Sequence, residues 1–109
     1  MNEALAARLR AALAGRRGVT EKKMFGGMCF LLRGNMLCGT GKDKFMFRVG
    51  KDQHTAAMKR PGAKPMDITG RVMLGFLWVD PARCDAKALR RWLAMAVAYV
   101  DKLPAKEKR

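Results

Sequence analysis

Serine is absent from this 109-residue chain, histidine occurs once, and Asp and Glu together number nine. A catalytic nucleophile needs a base beside it. With His54 alone, no serine and no carboxylates paired at helical spacing, such a site is hard to assemble, so no catalytic residue is assigned. Long apolar runs are missing too: none approaches the ~20 residues that a membrane-spanning helix needs. Residues 1–17, MNEALAARLRAALAGRR, carry charges throughout and do not read as a secretory leader. No membrane partner is expected, and the expected location is the cytoplasm. Cysteine is scarce: Cys29, Cys38 and Cys84 are odd in number and widely spaced, which fits a reducing compartment better than a disulfide framework. Together with His54 they form none of the close CxxC or HxxxH pairs of zinc sites, so neither a metal nor a cofactor is expected.

What the chain has in excess is positive charge. Lys and Arg number 23, leaving a net charge of +14. A field of that size attracts nucleic acid, an anionic surface or an acidic protein, and says nothing about fold. The excess is spread along the whole sequence, whereas a DNA reader gathers cations on one element. The phosphate contacts of a direct, sequence-tolerant nucleic-acid binder would be Arg16, Arg17, Lys22, Lys23, Arg90 and Arg91. The competing reading of Arg16 and Arg17 is that they offset the dipole at the end of the first helix.

Half of the residues are apolar, and one domain of this length supports one core. Leu5, Leu9, Ala12 and Leu13 mark one face of a helix over 3–14, which Gly15 ends. Lys22 to Phe25 is a short segment leading into Gly26-Gly27, a doublet that marks a bend, a bulge or a close approach of another backbone. Met28–Leu32 and Met36–Gly39 form a hairpin closed by Arg33-Gly34, although Asp or Asn would suit position 33 better. In that register Leu32 faces Asn35, Phe30 faces Leu37 and Cys29 faces Cys38. The opposed thiols are a candidate redox pair, against the plainer reading of two small apolar residues in a core layer. Both faces of the hairpin are apolar, so the sheet is expected to be covered on both, by its own helices and by a partner that could be a second copy of the chain.

A strand at 44–49 follows, then a helix at 52–60 capped by Asp52, then an irregular stretch at 63–70. Val72 to Val79 reads as a central strand, and a helix capped by Asp85 carries the stripe Leu89, Trp92, Leu93, Ala96, Val97 and Val100. The tail 104–109 is charged and expected to fray. The order α-β-β-β-α-β-α predicts a two-layer α+β sandwich with a mainly antiparallel sheet. The glycines do not make a phosphate loop: Thr40 stands where the lysine belongs, and Asp43 follows Gly41-Lys42.

Several of these segments resemble one known family. Met24-Phe25-Gly26-Gly27, Phe30, Gly34 with Met36-Leu37, FMFRVGKD at 45–52, Pro65-Met66, MLGFLWVD at 73–80 and a closing helix with a Trp are similar to the N-terminal domain of the TfoX/Sxy family. The likeness runs over roughly residues 5–103. It implies a two-layer α+β sandwich and a non-enzymatic regulator of natural competence, acting as a transcription coactivator through protein partners. Full-length members carry a second, C-terminal domain of helix-hairpin-helix character, so the chain reads as a stand-alone N-terminal domain. The resemblance brings no catalytic residues with it, and Cys29 and Cys38 lie outside its pattern.

Overall fold

Leu5, Ala6, Leu9 and Leu13 are buried along one side of helix α1 (Glu3–Ala12) and the turn that follows it. Ala6 takes the place that the helical spacing assigned to Ala12, which is exposed. A bidentate pair from Arg10 to Glu21, at 2.7 and 2.8 Å, ties the helix to strand β1 (Val19–Met24) and holds the Glu21 carboxyl below its usual range. This computed structural model describes residues 3–24, 26–68 and 70–106.

Beyond β1 the chain forms β2 (Gly27–Leu32), β3 (Asn35–Thr40) and β4 (Phe45–Arg48). A 3-10 turn (Lys51–Gln53) leads into α2 (His54–Met58), followed by β5 (Ala63–Ile68), β6 (Arg71–Val79) and α3 (Ala86–Val100). The strands make one antiparallel sheet in the order β1-β2-β3-β4-β6-β5. The architecture is the expected α+β sandwich, with the predicted order kept and two strands added to it. The first addition is β1, which reaches back to Val19 from the short segment expected at Lys22; Phe25 lies outside the described residues. The second is β5, in the stretch expected to be irregular. Its Pro65 cannot donate to a ladder and is tolerated because the strand lies at the sheet edge.

The helices share one face of the sheet. Leu9, Leu89, Trp92, Ala96 and Val100 pack with Phe30, Leu32, Leu37, Phe45, Phe47 and Leu77 in the main core. At its centre the Trp92 ring stacks on Phe47, with centroids 5.4 Å apart. The Asp85 side chain caps α3 by accepting from the Ala88 N–H at 2.8 Å, as the sequence predicts. Asp52 does not cap α2: it sits inside the 3-10 turn, and Gln53 precedes the helix without a side-chain bond.

The Arg33-Gly34 turn has both central residues at positive φ, the geometry that a two-residue hairpin loop requires. Arg33 bears this cost (φ 49°) because its guanidinium donates to the Asp101 and Leu103 carbonyls and pairs with the Asp101 carboxylate. Asn or Asp would turn more easily but could not reach the end of α3. Nearby, the Lys106 N–H donates to the Arg33 carbonyl at 2.9 Å and Asn35 donates to Pro104, so residues 104–106 are pinned to the turn. Residues 107–109 lie outside the described residues.

The hairpin register departs from expectation after two pairs. Leu32 faces Asn35 and Leu31 faces Met36, but Phe30 faces Cys38 and Cys29 faces Gly39. A bulge on β3 supplies the extra residue, Leu37, and turns both Leu37 and Cys38 toward the helices. Strand β6 is irregular as well. It bends at Gly75 (φ 88°), whose carbonyl accepts from Val49 and Gly50 and whose N–H donates to Nδ1 of His54 at 3.0 Å. A Cβ there would lie 2.9 Å from the Gly50 carbonyl carbon, so the backbones meet because no side chain intervenes. Beyond the bend, Val72 and Leu74 are 47% and 55% exposed; this half of the strand is not the buried central segment that its hydropathy predicts.

Candidate functional site

Strand pairing sorts the side chains between the two faces of the sheet, because directly opposed residues point the same way. Cys29, Met46 and Met66 form a second buried cluster, ringed by the partly buried Met24, Leu31, Met36, Phe76 and Trp78. No residue of a described helix belongs to it. Among the described residues nothing packs over this face of the sheet, and its small centre is shielded by the larger side chains of the same face. The doubly apolar sheet is as the sequence predicts, with helices on one face alone.

Cations frame the uncovered face. Lys22 stands opposite Cys29 and Lys64 opposite Trp78. The Lys44 ammonium lies 5.0 Å from the centre of the Trp78 ring. The Arg48 guanidinium lies 5.2 Å from Phe76 and 5.5 Å from Tyr99, and donates to the Met36 carbonyl at 3.3 Å. Phe76 and Trp78 sit two residues apart on β6, so both rings occupy this face. At its β5 end a cleft of about 480 Å³ is lined by Trp78, Lys44 and Lys64 together with Asp43, Asp67 and Asp80.

The six cations singled out in the sequence do not share one surface. Arg16 and Arg17 are exposed in the connection between α1 and β1. Lys22 is on the uncovered face, whereas Lys23, opposite Met28, points to the helix side. Arg90 and Arg91 are exposed on the outside of α3. What the structure groups instead is Lys44, Arg48 and Lys64 around two aromatic rings, with Lys22 on the same face at the far edge of the sheet. Sequence reasoning missed Lys44, Arg48 and Lys64 because their common face follows from strand pairing, although the alternation of Lys44, Met46 and Arg48 against Phe45, Phe47 and Val49 was a legible signal.

The thiols do not form the opposed pair. Cys29 lies in the second cluster and Cys38 in the helix-side core, on opposite faces of the sheet, so a bond between them would require the backbone to move. Burial is the main cause that raises each of the three thiols: Cys29 is pushed up to about 11, Cys38 well above its ordinary value, and Cys84 upward. Reactivity belongs to the thiolate, so alkylation of the folded chain near neutral pH is expected to be slow at all three and fast after denaturation. The sign for stability follows. A thiol whose folded pKa lies above its unfolded value of about 9.0 contributes fully below that pH, and the contribution is lost as pH rises toward about 11. Unfolding by urea is expected to show a midpoint that falls across that window, and Cys29→Ala is expected to flatten the fall.

Among the described residues, no group of three or more His, Cys, Asp and Glu side chains is placed to hold a metal ion. His54 is occupied as the acceptor of the Gly75 N–H. No described helix is long and apolar enough to cross a membrane.

Neither the comparison with curated proteins nor that with solved structures returns a match. The profile of the TfoX N-terminal domain matches residues 11–99, from the last turn of α1 to the end of α3. That span takes in the whole sheet, the Gly26-Gly27 doublet, the bend at Gly75 and every residue of the uncovered face. The family is not known as one of enzymes. On a match of this extent, the chain belongs to the TfoX N-terminal domain family.

Proposed function

We propose that this domain is a non-enzymatic regulatory module, working as the TfoX/Sxy competence regulators do, by contact with other macromolecules. The observation that carries the reading is the uncovered, apolar face of the sheet. An apolar patch that no helix covers mostly marks an interaction site, and here the half-buried Met24, Leu31, Met36, Phe76 and Trp78 ring Cys29, Met46 and Met66 while α1, α2 and α3 pack on the other face. Methionine suits such a surface because its unbranched thioether adapts to differently shaped partners. The four cations on the same face favour a second reading, direct contact with nucleic acid.

The test is genetic. In the native cell, with the chromosomal copy deleted, Leu31→Glu and Met36→Glu are expected to abolish complementation of competence-gene transcription, whereas Arg90→Glu and Arg91→Glu on α3 leave it intact. Thermal melts of the purified variants separate lost contact from lost fold. Full complementation by the sheet-face variants would overturn the reading.

A further inference from the structure

The rings and cations of the uncovered face are arranged for a more definite ligand than a generic partner. Phe76 and Trp78 are residues i and i+2 of one strand, about 6.7 Å apart along it. Both are partly exposed, and each already holds a cation against its ring face. At Phe76 the Arg48 guanidinium, held also by the Met36 carbonyl and Tyr99, stays over the ring and offers its own flat face to a base. Lys44 is a single flexible chain over Trp78 and can swing aside while its ammonium stays near whatever displaces it. Lys64 and Lys22 stand on the same face toward the two sheet edges. We infer that this face binds an unpaired nucleic acid strand, its bases stacked on Trp78 and on the Arg48 guanidinium that Phe76 supports, and its phosphates met by Lys22, Lys44 and Lys64.

The physical case rests on matching two features at once. An antiparallel sheet that displays aromatic rings on an open face is a stacking platform for splayed bases. A duplex keeps the faces of its bases stacked on one another and shows phosphate, sugar and base edges, so it offers no ring face to Trp78. A second copy of the chain would set cations against like cations in a molecule that already carries +14. Asp43, Asp67 and Asp80 share the cleft at the β5 end with Trp78, Lys44 and Lys64 and offset part of the positive charge there, so phosphate is held more weakly at that end than toward β4 and β3. The inference rests on the reading that the uncovered face is the contact surface, and adds the class of polymer that occupies it.

The two tryptophans make the test direct. Trp92 is 2% exposed and stacked on Phe47, so a change in emission on binding reports Trp78. Titration of the full chain with a short single strand of thymidylate or uridylate at low salt is expected to quench the emission. Affinity should fall with log salt at a slope of about −0.7 for each phosphate contacted. Phe76→Ala and Trp78→Ala, followed by anisotropy of a labelled strand, are each expected to weaken binding about tenfold, within the range for a lost base stack. Lys22→Glu and Lys64→Glu change exposed side chains, keep the fold and are expected to flatten the salt slope. The inference is overturned if no quenching occurs at low salt, if the paired duplex binds as tightly as the single strand, or if polyglutamate competes as well as the oligonucleotide. That last result would assign the face to an acidic polypeptide. Loss of strand binding with the genetic effect of Leu31→Glu intact would sink this inference alone; full complementation by Leu31→Glu would sink the regulatory reading whatever the oligonucleotides do.

Discussion

Gly27→Ala is expected to destabilise the protein by about 3 kcal/mol or more, at the upper end of what forced overpacking costs. A Cβ built on Gly27 falls 1.9 Å from the Thr40 carbonyl oxygen and 2.8 Å from its carbon. Both are backbone atoms, so no rotamer change can relieve the clash. Thr40 cannot retreat cheaply either: it is the buried polar residue of this region, and its hydroxyl accepts from the Met28 N–H at 3.1 Å. Moving it would open the β2–β3 pairing next to Cys29 and Gly39. Gly26→Ala is the control. Nothing lies within 4 Å of its Cβ, so only the positive φ of 74° costs, about 1–2 kcal/mol. Urea midpoints at constant m value would measure both; a Gly27 variant no worse than the Gly26 variant would show that the close approach is not a constraint.

Phe47→Ala is the other large effect, expected at about 3–5 kcal/mol. Phe47 is fully buried, stacked on Trp92 and 5.9 Å from Phe45. Its ring joins the sheet to α3, and removal leaves a cavity bounded by two rigid aromatics that cannot close on it. Since a domain of this size holds only about 5–15 kcal/mol in all, the variant should sit near the edge of unfolding. Emission from Trp92 should shift to the red as water gains access. Leu74→Ala, at a position 55% exposed, should change stability by no more than about 0.5 kcal/mol. Equal midpoints for the two variants would contradict the placement of the core.

How much of this was legible in the sequence depends on what each residue had to report. Helix α3 could be read almost whole, because Leu89, Trp92, Leu93, Ala96 and Val100 recur at helical spacing and Asp85 precedes them with a cap. The hairpin turn could be read from Gly34. Strand β1 could not: VTEKKM is an edge strand whose Glu21, Lys22 and Lys23 are exposed, so neither face carries a hydrophobic signal. Strand β5 hid behind Pro65. The bulge at Leu37 was invisible for a different reason, since both candidate registers bury apolar side chains and an alternation of period two cannot show an added residue. The candidate site was legible in part. The doubly apolar sheet announced a second apolar face, expected to be covered by a partner, whereas the grouping of Lys44, Arg48 and Lys64 needed β6 to be placed between β4 and β5. Charge alone pointed to Arg90 and Arg91, which lie on the outer side of α3, away from the sheet.

The bulge bears on chemistry as well as on packing. In an unbroken ladder Cys38 would sit directly across from Cys29, and an oxidant reaching the sheet could crosslink the hairpin to itself. One additional residue rotates that sulfur into the dry layer beneath α1 and α3 and leaves Gly39 in its place. Excising Leu37 would undo this protection, turning a hairpin whose two thiols cannot meet into one that air could staple shut.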